Sequence, residues 1–122
     1  MKKILIVHLI FLFLLCAPSF AGEADIIAVD IKKEGQNAYY FSVTVFHDDT
    51  GWDHFADKWE ITDEKGTVLG TRILHHPHVG EQPFTRSLSG VKILADIKTV
   101  TIRAHDSVHK YGGKVMTLEL PD

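Results

Sequence analysis

The chain has one cysteine, Cys16, and it sits inside an apolar stretch close to the first residue. Lys2 and Lys3 precede the run Ile4–Ala17, and Pro18-Ser19-Phe20-Ala21 supplies small residues at the third and first positions before a cut. This is the pattern of a secretory signal peptide cleaved after Ala21, so residues 1–21 are expected to be removed and residues 22–122 to form one domain in the periplasm or outside the cell. The apolar run is shorter than the roughly 20 residues that a spanning helix needs. The bulky Leu15 ahead of Cys16 argues against a lipid anchor on that cysteine. Without the leader the chain has no thiol, which excludes a disulfide, a thiolate ligand and a cysteine nucleophile.

Positive charge is the second scarcity. The whole chain carries 13 Lys and Arg against 16 Asp and Glu; without Lys2 and Lys3 eleven basic side chains remain and the formal charge is −5. That balance argues against nucleic acid and an anionic membrane surface as partners. Several catalytic motifs are missing too: there is no G-x-S-x-G elbow, no H-E-x-x-H helix and no glycine-rich phosphate loop. No motif therefore points to a catalytic class, although a metal held on three loops could still catalyse. Long helical periodicity is also lacking, and about 100 residues suffice for one small core only.

What is present is alternation. Apolar residues recur with period two in short runs separated by Gly, Asn and Asp, the signature of an all-β protein. Seven strands are expected: Asp25–Lys33, Ala38–His47, Asp57–Thr62, Thr67–Leu74, Thr85–Ile93 with a bulge at Gly90, Thr99–His105 and Lys114–Leu120. Inward residues would be Ile27, Val29 and Ile31 on the first, Phe41, Val43 and Val45 on the second, and Trp59 and Ile61 on the third. Two packed antiparallel sheets of the immunoglobulin-like or fibronectin-III-like kind follow. Asp48–Ala56 could hold one helical turn capped by Asp53, with Trp52 and Phe55 burying the loop. Gly112 and Gly113 would supply positive φ in the last hairpin.

Parity then sorts the loops. In an up-and-down arrangement the loops after the second, fourth and sixth strands share one end. Those loops and their strand ends hold His47, His54, His75, His76, His78, His105 and His109, which are all the histidines beyond the leader. The opposite loops hold none. Pro77 favours extended angles at His76, so His76 and His78 should aim at one point. His47 has the parity of the inward residues. The expected centre is therefore His47, His76 and His78, with His54, His75, His105 and His109 around it and Asp48 or Asp53 in support. Other carboxylates nearby would orient imidazole N–H groups.

The segments "HDDTGWDHFADKWE", "HHPHVGEQPFTRSLSGV" and "AHDSVHKYGG" resemble those of a group of small exported bacterial proteins that brings no assigned activity. A blue-copper site needs a cysteine, copper–zinc superoxide dismutase a disulfide, and copper monooxygenases an N-terminal histidine where this chain would begin at Gly22. Imidazole and carboxylate donors suit Cu(II), the preferred ion, or Zn(II). The expectation is a monomeric exported protein that binds a divalent transition metal as carrier, buffer or sensor. The alternative is a non-enzymatic module whose histidine pole docks a periplasmic protein partner in a pH-responsive way.

Overall fold

The computed structural model describes residues 22–122, so the expected leader lies outside the described residues. Seven strands are present: β1 Asp25–Gly35, β2 Ala38–Phe46, β3 Ala56–Thr62, β4 Val68–Ile73, β5 Phe84–Lys92, β6 Thr99–Asp106 and β7 Met116–Glu119. They form two antiparallel sheets of order β1-β2-β5 and β4-β3-β6-β7. The chain is an all-β sandwich, with no helix among the described residues. β4 pairs with β3 rather than with β5, which differs from the constant-type immunoglobulin order in which the fourth strand lies beside the fifth.

Side chains alternate across a pleated strand, so one parity of each central strand fills the space between the sheets. Phe41, Val43 and Val45 from β2 meet Trp59 and Ile61 from β3 and Val100, Ile102 and Ala104 from β6, all essentially without exposure. Complete burial of each such side chain stabilises the fold by about 1.5–3 kcal/mol. On β7, Met116 and Leu118 pack against this core from the edge, and Leu120 follows beyond the strand end.

Three local expectations are corrected. Ile27 is half exposed because β1 bulges between Ile26 and Ala28, which sends Ile26 inward in its place. Gly112 and Gly113 do not carry positive φ; Lys110 does, at 64°. Gly113 matters for another reason: a Cβ there would lie 1.9 Å from the Ala24 carbonyl oxygen. Residues 51–54 form a tight turn closed by a Gly51–His54 bridge instead of a helical turn, and Trp52 is 68% exposed. The bulge at Gly90 is present: the residue has φ 67°, the β2–β5 register slips there, and Glu34 accepts from Ser89 Oγ and Gly90 N.

The pairing register sets the polarity of the sandwich. Asp25 lies across from Phe46, Val45 from Phe84, Ala56 from Asp106 and Lys58 from Ile73. The C-terminal ends of β2, β4 and β6 therefore share one pole with the N-terminal ends of β1, β3 and β5. That pole carries every described histidine.

Candidate histidine–aspartate centre

His47 follows the last residue of β2 and keeps the inward parity of Val43 and Val45, so its ring enters the sandwich rim at 1% exposure. Its Nδ1 is 2.5 Å from Asp49 Oδ1. A carboxylate oxygen accepts here, which assigns a proton to Nδ1 and turns Nε2 away from Asp49. Asp49, itself buried, also accepts from Ala56 N at 3.0 Å and from His78 N at 2.7 Å. One carboxylate thus holds the imidazole, the start of β3 and the β4–β5 loop in register. Gln82 adds a second tie, accepting from His47 N and donating to the His78 carbonyl.

The Nε2 of His47 points at a small polar cluster. His54 Nε2 lies 3.2 Å away, and the Gly22 carbonyl oxygen is 3.0 Å from His47 Nε2 and 3.1 Å from His54 Nε2. Asp106 Oδ1, at the end of β6, is 3.2 Å from His54 Nε2 and 3.4 Å from His109 Nδ1. The donor atoms of His47, His54 and Asp106 all fall within 4.8 Å of one another. His109 closes the outer side, its ring 4.9 Å from that of His54.

Two loops are joined to make this possible. Ser107 N donates to the Phe55 carbonyl, and Phe55 N donates to Ser107 Oγ. Asp106 is fully buried, and burial taken alone would raise its pKa. The backbone N–H groups of His109 and Val108 donate to it and, with the positive charge that nearby imidazoles carry when protonated, hold it below the usual carboxylate value. It is therefore an anion at neutral pH. Its Oδ2 is buried with no hydrogen-bond partner among the described residues.

With His47 and His54 both neutral, the single proton at His54 Nε2 cannot serve the His47 lone pair, the Gly22 carbonyl oxygen and the Asp106 carboxylate oxygen together. One added cation, a proton on His47 Nε2 or a bound metal ion, satisfies all of them. The spacing fits an ion as well as it fits hydrogen bonds: a tetrahedral ion with bonds of about 2.0–2.1 Å sets its ligands roughly 3.3 Å apart, near the 3.0, 3.1, 3.2 and 3.2 Å of these edges, and the three side-chain donors lie within 4.8 Å of one another.

The remaining candidates are placed elsewhere. His76 and His78 do lie close, with ring centroids 4.7 Å apart, but they are not gathered with His47. His78 is buried and stacked on Phe84 at 4.0 Å, and its Nε2 accepts from Arg86 at 3.0 Å. Burial, the Arg86 guanidinium and His76 hold His78 below the ordinary histidine pKa. His76 is exposed and sits against its neighbour's carbonyl, and His75 is exposed. His105 belongs to the outer face of β6, paired with Asp57 at 2.6 Å, beside the group of Glu60, Arg103, Lys58 and Tyr111. Asp48 and Asp53 are both exposed. Asp106 was not among the expected ligands, though it lies between His105 and His109; the signal available was its position at the strand end with inward parity.

No family model and no solved structure matches this chain. A curated protein of Halomicrobium mukohataei named "Putative lipoprotein" is 39% identical over 97 residues, which is 80% of this chain and 47% of that protein. The chain thus spans about half the length of the curated relative to which it is similar, and that relative's name refers to no metal.

Proposed function

We propose that the protein is exported and binds one divalent transition metal, Zn(II) or Cu(II), through His47 Nε2, His54 Nε2 and Asp106 Oδ1, with His109 at the rim. The observation that carries this reading is the gathering of these three donor atoms within 4.8 Å of one another, with His54 Nε2 3.2 Å from both of the others, beside a buried and partly unpartnered carboxylate. The Asp49–His47 pair supports it, since a carboxylate on the far nitrogen fixes the tautomer and raises the basicity of a ligating imidazole. Export is supported by the leader pattern of residues 1–21 and by the lipoprotein name of the relative. His109 is 40% exposed at the rim, which leaves one side of the site accessible for exchange of the ion, as carriage, buffering or sensing requires.

Calorimetric titration of the metal-free protein with Zn(II) and Cu(II) tests the reading. One equivalent should bind more tightly than about 10 μM, with affinity falling as protons compete below the imidazole pKa of about 6.5. Binding weaker than that for both ions would overturn it. A second reading, docking of a protein partner, is favoured by one feature: Trp52 and Val79, 68% and 58% exposed, flank an open depression of about 530 Å³ floored by His76, Pro77 and His78.

A further inference from the structure

The Gly22 carbonyl oxygen stands with His47 Nε2 and His54 Nε2 in a near-equilateral triangle of 3.0, 3.1 and 3.2 Å. Resting on the metal reading above, we propose that removal of the leader completes the centre. Hydrolysis of the Ala21–Gly22 bond by a leader peptidase would turn Gly22 into an N-terminal residue that chelates the ion through its α-amine and its carbonyl oxygen.

The chemistry differs sharply before and after the cut. In the uncut chain the Gly22 nitrogen is an amide whose lone pair is delocalised into the Ala21 carbonyl, so it is a poor ligand. Hydrolysis adds water across the bond: Ala21 leaves as a carboxylate and Gly22 keeps a primary amine of ordinary pKa about 7.7–8.0. That amine gives up its proton as it binds, and amine, Cα, carbonyl carbon, carbonyl oxygen and metal close a five-membered ring. The carbonyl oxygen already lies at the site, so the amine has one Cα to span.

The N-terminal segment is held for this purpose. Ile26 N donates to the Lys114 carbonyl at 2.9 Å and Lys114 N donates to Asp25 Oδ1 at 2.8 Å, which docks residues 22–26 against the β6–β7 hairpin. Gly113 lets the Ala24 carbonyl pass where a Cβ would sit 1.9 Å from it. At Gly22 itself a Cβ would lie 2.4 Å from His109 Cε1, so a side chain there would displace the rim histidine. Glycine at both positions is explained by access of the terminus to the histidines.

The test uses three chains, beginning at Gly22, at Ala21 and at Ala24, with His47→Ala in the first as a control for the site and Zn(II) alone as the probe. The Gly22 chain should bind one zinc. The Ala21 chain, in which the Gly22 nitrogen is again an amide, should bind at least about tenfold more weakly, the lower end of what a mispositioned ligand shell costs. The Ala24 chain should be weaker still. Equal melting temperatures of the metal-free Gly22 and Ala21 chains would show that the loss is not one of folding. Intact mass of the protein exported from cells should correspond to a Gly22 start. Equal zinc affinity of the Gly22 and Ala21 chains, with His47→Ala still abolishing binding, would overturn the inference and leave the metal reading standing. Failure of the Gly22 chain to bind zinc would overturn the metal reading, and an exported chain beginning elsewhere, at a lipid-modified Cys16 for example, would overturn the inference alone.

Discussion

At the same pole of the sandwich, His47 and His54 meet at Asp106 with His109 beside them, while His76 and His78, whose rings are also 4.7 Å apart, are not gathered with them. The second group is the denser in sequence, three histidines around Pro77. Yet His78 is committed to Phe84 and Arg86, His76 leans on its neighbour's carbonyl, and His75 faces solvent. The first group is spread over 63 positions and is brought together by the pairing of β3 with β6 and by the Phe55–Ser107 hydrogen bonds. Convergence of side chains is set by strand register and loop pairing, and sequence density is a poor guide to either.

The largest expected effect is common to both groups, because both stand on one core. Trp59→Ala should cost about 3–5 kcal/mol, a large share of the stability of a domain this size; urea denaturation read by circular dichroism checks it. Near-normal stability would show that the sheets do not depend on Trp59, which is without exposure.

Next comes the contrast itself. His47→Ala combined with His54→Ala should lower zinc affinity by at least about 100-fold, beyond the range of outer contacts. His75→Ala combined with His76→Ala should leave it within about twofold, since neither nitrogen set approaches Asp106. Titration calorimetry on the two double variants reads both. A third, smaller effect isolates the support of His47: Asp49→Asn should weaken binding about 10–100-fold by removing the carboxylate that sets the tautomer, with stability also reduced because Asp49 ties two loops.

The smallest effect belongs to His78 and appears without metal. Its folded pKa lies below the ordinary value, so between about pH 6.5 and that lower value the unfolded chain binds more protons than the folded one. The stability contributed by neutral His78 is complete above about pH 6.5 and is lost as pH falls through the folded value. Denaturation midpoints in the presence of a chelator should therefore fall from pH 7.5 to pH 5.5, and His78→Gln should show a shallower fall.

The sandwich itself was readable because a period-two pattern has one way to bury its apolar face: β2 and β6 alternate along their length. Ile27 was misplaced because a bulge inverts parity within a strand and leaves no composition mark. The histidine pole followed from loop parity alone. The centre did not, since it depends on tertiary pairing: His54 comes from the turn that Gly51 opens, Asp106 from the last residue of β6, and the Gly22 carbonyl from a close approach that Gly113 permits. Asp49 and Asp57 each meet an imidazole Nδ1, of His47 and of His105, and nothing in the sequence singled them out from Asp48 and Asp53.

The most direct measurement is a long-range ¹⁵N–¹H correlation spectrum of the imidazoles with and without one equivalent of Zn(II). The Nε2 resonances of His47 and His54 should shift to the metal-bound range while His47 keeps its proton on Nδ1 and His75, His76 and His78 stay unchanged. Shifts of the His76 and His78 nitrogens with His47 and His54 unmoved would contradict the account.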